Sequence, residues 1–205
     1  MMNDTETINR LFDEIARPDP DMVARLHQRL VTDAESDGLL DISYRTVDSP
    51  YGALLLAATT QGLVRIAFAL ENHDAVLSSL ATTISPRILQ SPRRLDRASM
   101  QLDEYFAGKR HGFELSLDLQ LSHGFRRNVL DHLRDIAYGH TASYAAIAAA
   151  AGSPAAVRAV GSACATNPLP IVVPCHRVVR SDGSIGQYLG GTDTKRALLA
   201  MEAAH

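Results

Sequence analysis

The spacing of apolar positions divides the chain into stretches of different period. Ile8, Leu11 and Ile15, then Met22, Leu26 and Leu30, recur at helical spacing, and Pro18-Asp19-Pro20 between them is a helix stop and restart. Two short amphipathic helices are predicted there. From Asp41 the pattern changes to short runs rich in strand formers, over residues 42–47, 52–59 and 62–69, separated by Ser49-Pro50 and Gln61-Gly62. That pattern predicts a small antiparallel sheet. Residues 74–81 and 95–106 read as helices, the second stopping at Gly108. Phe113, Leu115, Leu117, Leu119 and Leu121 then alternate with polar residues, the period of an extended segment.

Helical character dominates beyond Ser122. Val129, Leu130, Leu133 and Ile136 share one face of a helix over 125–138 that Gly139 can stop. Ser143 precedes an alanine-rich helix over 144–151, Gly152 ends it, and Ser153-Pro154 is placed to start another as N-cap and first helical residue. Helix, glycine-containing turn and helix make the helix-turn-helix arrangement, which on spacing alone also suits any packed helical domain. The expected fold class is α+β. Residues 1–40 form a helical extension, residues 41–121 a small α/β domain with an antiparallel sheet, and residues 122–205 an all-α helix-turn-helix domain.

Composition sharpens this division. The net charge of -3 argues against a nucleic-acid partner only as an average. Residues 1–40 carry four Arg against nine Asp/Glu, residues 41–121 eight cations against nine anions, and residues 122–205 eight cations against five anions. The last segment is therefore mildly basic. Five Phe, six Tyr and no Trp are too few for a single-strand stacking platform. No apolar run approaches the length of a membrane span, and no secretory leader pattern opens the chain, so a cytoplasmic protein is expected. Two cysteines cannot build a secreted disulfide framework or a four-cysteine zinc site.

The sharpest local feature is the proline-hemmed run from Asn167 to Val179, which delivers Cys175 into a stiff position. A cysteine there is either a small buried hydrophobe or a nucleophile. His176 and Arg177 follow it directly and could support a thiolate. Cys164, among Ala and Ser on a helix, reads as structural. Zinc would need further ligands, and the other histidines show no pair spacing, so neither a metal nor another cofactor is expected.

Pro174-Cys175-His176-Arg177-Val178-Val179, followed by Gly183, Gly186, Tyr188, Gly190-Gly191 and Lys195, resembles the O6-alkylguanine-DNA alkyltransferases. The resemblance is strong over residues 125–202, looser over 41–121, and does not reach the first 40. It implies a ribonuclease-H-like first domain, a winged-helix-like second one, and direct, single-turnover transfer of an alkyl group from O6-alkylguanine, and from O4-alkylthymine, in double-stranded DNA to Cys175. It further implies His176 as base acting through a water, Glu202 as the carboxylate orienting His176, Tyr144 as a phenol assisting the leaving guanine, and Asn167 as a hinge residue. Val178, Tyr188, Leu189 and Gly190 would line the lesion pocket. Leu189 replaces the small polar residue common in the family, which bears on pocket size.

A buried thiol cannot reach a stacked base, so the nucleotide must flip out. The second helix of the pair suits this: Ala155, Ala156, Ala159 and Gly161 permit close approach to a groove, and Arg158 matches the arginine that takes the place of the extruded base. Taken alone, Arg158 is a surface arginine and Glu202 a solvated helix residue. Arg126, Arg127, Arg134, Arg177, Arg180, Lys195 and Arg196 are candidate phosphate contacts, of which some must be structural. A protein acting as a monomer is expected, with residues 1–40 available to a protein partner. The competing reading is a sensor or regulator that recognises alkylated DNA without repairing it; a thiol hydrolase is a remoter one, leaving Arg158 without a role.

Overall fold

The computed structural model describes residues 19–204. The helix expected around Ile8 to Ile15 lies outside the described residues. Contacts between Cα atoms divide the chain after Leu40. In the first unit, helix α1 (Pro20–Ser36) starts with Asp19, whose carboxylate accepts from Asp21 N at 3.0 Å, and has proline in its first turn, where the absent N–H costs nothing. Met22, Val23, Leu26 and Leu30 on this helix are about half exposed.

In the second unit, β1 (Ile42–Val47), β2 (Leu54–Ala58) and β3 (Leu63–Phe68) form the antiparallel part of a sheet. Strand β2 is central and fully buried. Leu54, Leu56 and Ala58 face the main core, whereas Ala57 faces a smaller cluster with Ile42, Val64 and Leu80. Leu80 comes from α2 (His73–Thr83). A short strand absent from the sequence reading, β4 (Ile88–Gln90), pairs parallel with β1 and gives the order β3-β2-β1-β4. Three residues after Pro86 carry no readable period. A parallel partner also needs a crossover connection, which α2 supplies.

Helix α3 (Asp96–Phe106) packs Leu102 and Tyr105 into the main core. The alternating segment that follows makes one parallel bridge, Leu63 to Leu117, and turns Leu119 inward. The main core continues without a break into α4 (Gly124–Leu133), α5 (Tyr144–Ala150), α6 (Val157–Ala165) and α7 (Thr192–Ala203) through Val129, Leu130, Ile147, Val160 and Leu198. The helical half also holds a two-residue parallel ladder, β5 (Ala142–Ser143) with β6 (Val178–Val179). Among the described residues no helix is long and apolar enough to cross a membrane, and no group of three His, Cys, Asp or Glu could hold a metal ion.

Candidate active site

The segment between α6 and β6 is buried almost throughout, and Ile171 within it adopts φ +74°, a region that β-branched residues rarely occupy. Such a conformation persists only where the surroundings fix it. Asn167, fully buried, does much of that fixing. Its Oδ1 accepts from Leu169 N at 3.0 Å, and its Nδ2 donates to Val173 O at 2.8 Å and to Cys175 Sγ at 3.2 Å. A short 3-10 turn, Cys175–Arg177, then carries the sulfur, the imidazole and the guanidinium on consecutive residues.

Burial pushes the Cys175 thiol up to about 11, against the lowering effect of the Asn167 hydrogen bond and the Lys195 charge. Lys195 is itself buried, donates from Nζ to Val178 O at 2.6 Å, and has its ammonium pKa lowered by desolvation.

His176 is fully buried, and its Nε2 lies 2.9 Å from Glu202 Oε1. Glu202, on α7, also receives Arg177 Nε at 3.0 Å and Nη2 at 2.9 Å, Gly139 N at 3.3 Å and the Tyr105 hydroxyl. Burial would raise this carboxyl, but the hydrogen bonds from His176 and Arg177 outweigh it and hold the pKa at about 2. An ionised carboxylate can only accept, so His176 Nε2 must carry the hydrogen. Desolvation lowers the His176 pKa while Glu202 raises it, and the net shift is downward. The neutral ring therefore presents a basic lone pair at Nδ1, a buried atom with no hydrogen bond to protein.

Tyr188, one of the expected pocket residues, meets this turn at His176. Tyr144 opens α5, which Ser143 caps by accepting from Ala146 N at 3.1 Å. A methyl group on Gly186 would sit 2.7 Å from the Tyr144 hydroxyl, so the loop approaches the phenol as only glycine permits. Burial raises the Tyr144 pKa, which keeps the group a proton donor. Tyr188 stacks edge-on against Phe68 and His176, at 5.5 and 6.2 Å between ring centroids. Leu189 is partly buried against the main core, and Gly190 lies so close to Phe68 that a methyl group there would meet the ring at 2.8 Å.

Helix α6 begins at Val157, not at Pro154. Residues 153–156 form a turn in which Ala156 N donates to Ser153 O at 2.8 Å, and Ser153 makes no side-chain cap. Ala155 precedes the helix, exposed, and Ala156 is its N-cap. Arg158 and Ala159 are exposed, and Gly161 faces open space. Arg158 makes no hydrogen bond or ion pair among the described residues. The helix thus offers a thin surface with one long cation.

Two family models match the chain: the 6-O-methylguanine DNA methyltransferase ribonuclease-like domain over residues 42–119, and the DNA-binding domain of the same enzyme over residues 124–204. The chain belongs to the 6-O-methylguanine DNA methyltransferase family. Within the family it is 42% identical over 164 residues to a methylated-DNA–protein-cysteine methyltransferase of Mycolicibacterium paratuberculosis, covering 80% of this chain and 94% of that one. It is 41% identical to the constitutive enzyme of that name from Bacillus subtilis, covering 78% and 94%. A crystal structure of Mycobacterium tuberculosis OGT in complex with DNA matches with a TM-score of 0.69 at 40% identity, over 79% of this chain and 93% of that one. The family models leave the first 41 residues unmatched.

Against this 6-O-methylguanine DNA methyltransferase framework, two residues offered as phosphate contacts are corrected. Arg177 is buried, paired with Glu202 and bonded through Nη1 to Ile136 O at 2.6 Å; Lys195 is buried beneath Val178. Neither can reach DNA. Three residues of the ribonuclease-like half were missed: Tyr105 on Glu202, Phe68 against Tyr188 and Gly190, and Arg65 on the backbone of Asn167.

Proposed function

We propose that the chain is a methylated-DNA–protein-cysteine methyltransferase that repairs O6-alkylguanine, and O4-alkylthymine, in duplex DNA by moving the alkyl group onto Cys175. The observation that carries this is the pair of contacts on one turn, Asn167 to Cys175 and Glu202 to His176, in a chain whose helix α6 has Arg158 as its one long polar side chain. His176 Nδ1, held basic by donation from Nε2 to ionised Glu202, takes the thiol proton through a water. The thiolate sulfur attacks the alkyl carbon, the bond from carbon to guanine O6 breaks, and the electron pair leaves with the base. Tyr144 donates to the departing guanine, lowering the cost of its developing charge. Backbone groups near Val178 hold the base edge, while Tyr188, Leu189 and Gly190 shape the alkyl pocket.

Arg158 enters the minor groove and fills the space of the flipped nucleotide, with Ala155, Ala156, Ala159 and Gly161 allowing the approach. The thioether has no route back, so each molecule acts once, as a monomer, in a cytoplasm whose reducing poise keeps the thiol free. Residues 1–40 are left to a protein partner. Incubation with O6-methylguanine duplex should add about 14 mass units to the Cys175 peptide, a methyl replacing a hydrogen. Transfer that survives Cys175→Ala, or tight lesion binding with no mass change, would overturn this reading.

A further inference from the structure

Strand β3 is an edge strand, and its free side does not face solvent throughout. Leu63 N donates to Ser116 O at 2.9 Å, and three residues on, Ile66 N donates to Pro168 O at 2.8 Å. Between them Arg65 reaches the same place with its side chain. Its Nη1 lies 3.3 Å from both Asn167 O and Pro168 O, and its Nη2 pairs with Glu71, whose other oxygen accepts from Phe68 N at 2.9 Å. Both charged side chains are mostly buried, at 15% and 16% exposure, so the pair is screened less than a surface one.

Asn167 is thus held from both ends. Its side chain grips Leu169, Val173 and the Cys175 sulfur, and its carbonyl is gripped by a guanidinium from the ribonuclease-like half. Hydrogen bonding to a thiolate favours that form, but only while the donor points at the sulfur. The direction of Nδ2 depends on the orientation of the Asn167 backbone.

We propose that Arg65 is a positioning residue for the acceptor thiol, fixing the Asn167–Pro168 peptides so that Asn167 aims its amide at Cys175 Sγ. Nη1 meets both carbonyls while Nη2 holds Glu71, so the planar guanidinium is fixed in one orientation, whereas an ammonium on a flexible stem could bond the carbonyls but would be held less firmly. The assignment rests on Cys175 being the alkyl acceptor.

The test compares wild type with Arg65→Gln, Arg65→Lys and Glu71→Gln in the full chain. Three quantities are read: the single-turnover transfer rate at saturating O6-methylguanine duplex, the dissociation constant for that duplex, and the pH midpoint for alkylation of Cys175 by iodoacetamide, followed by the mass of its peptide. Arg65→Gln is expected to slow transfer about tenfold and raise the midpoint by about one unit, because one unit is a tenfold change in thiolate at neutral pH. Its dissociation constant should stay within about twofold, since Arg65 acts through Asn167 and not on DNA. Arg65→Lys should recover part of both effects; Glu71→Gln loosens the grip but also removes a charge that raises the Cys175 pKa, so it should slow transfer with a smaller midpoint shift than Arg65→Gln.

An unmoved midpoint in folded Arg65→Gln, whether or not the rate falls, overturns the assignment; so does a loss of DNA affinity that accounts for the slower transfer. Should Arg65→Gln fail to fold, Arg65→Lys, which keeps the charge and loses the planar donor, decides by the same criterion. If wild type itself transfers nothing, the repair function fails, and the iodoacetamide midpoint still decides the role of Arg65.

Discussion

Tyr105 and His176, 71 residues apart, donate to the same carboxylate oxygen, Glu202 Oε1, and their own polar atoms lie 3.4 Å from each other. They compete for one acceptor. Tyr105 comes from the ribonuclease-like half and is wholly buried, with burial and the Glu202 charge driving its pKa far above the ordinary phenol value, so it always donates. Replacing it by Phe frees Oε1 to bond His176 more strongly and raises the imidazole pKa. A general base works only when neutral, so the acid limb of the transfer rate should move to higher pH: Tyr105→Phe should lose more activity at pH ~6 than at pH ~8. Single-turnover rates across that range check the sign. Stability should fall by only about 1 kcal/mol, the net worth of one hydrogen bond.

Glu202 carries a second expectation. Its folded pKa of about 2 lies below the ordinary glutamate value of 4.5, so the carboxylate contributes stability that is fully present above the unfolded pKa and is lost as pH falls from 4.5 towards 2. Glu202→Gln removes that contribution and leaves Arg177 buried without its counter-charge, a loss of about 3 kcal/mol at neutral pH. Urea midpoints for wild type and variant should differ most near pH 7 and converge towards pH 3.

Much of the fold was legible because its signals are local. The glycines, prolines and apolar spacing between Phe125 and Cys164 mark the helix pair, and the Pro-Cys-His-Arg turn marks the sulfur. What was not legible depends on contacts between distant residues. Tyr105 looks like one more apolar position of an amphipathic helix, and its partner Glu202 stands 97 residues away. Arg177 and Lys195 look like surface cations in a basic segment, since sequence charge does not reveal burial. Strand β4 is too short to show a period, and Ser153-Pro154 carries the signature of a helix start although the chain makes a further turn first. Arg65 sits in a strand where a half-buried cation has no local meaning; only the approach of Asn167 and Pro168 supplies one.

Arg158 should separate chemistry from stability. It is exposed and makes no bond within the described residues, so Arg158→Ala should leave the thermal midpoint nearly unchanged, within about 0.5 kcal/mol. In the proposed reading Arg158 takes the place of the flipped base, so its loss removes compensation for unstacking, worth a few kcal/mol. Transfer from duplex should therefore fall by about tenfold or more, while transfer from a single-stranded oligonucleotide, which has no stack to refill, should fall far less. Equal losses on both substrates would place Arg158 outside base flipping.

Gly186 tests the link between loop and phenol. A Cβ at this position would stand 2.7 Å from Tyr144 Oη and 3.6 to 3.7 Å from the adjoining ring carbons. A phenol cannot withdraw its oxygen without moving the ring, and the ring is anchored at the first residue of α5 behind the Ser143 cap. Gly186→Ala must therefore displace either Tyr144 or the loop, and both form the proposed lesion pocket. Transfer should slow by about tenfold with little change in duplex affinity, because the displaced donor is needed when guanine leaves and not when DNA docks. Gly183→Ala separates steric from conformational effects: its methyl meets nothing within 4 Å, but φ +80° is strained for alanine. That variant should lose about 1 kcal/mol of stability or loop order and keep the Tyr144 geometry. Combining Gly186→Ala with Tyr144→Phe gives the decisive comparison. If the clash acts through the hydroxyl, the methyl on residue 186 should cost less activity in the Phe background than in wild type; an equal cost in both would mean that the loop, and not the phenol, gives way.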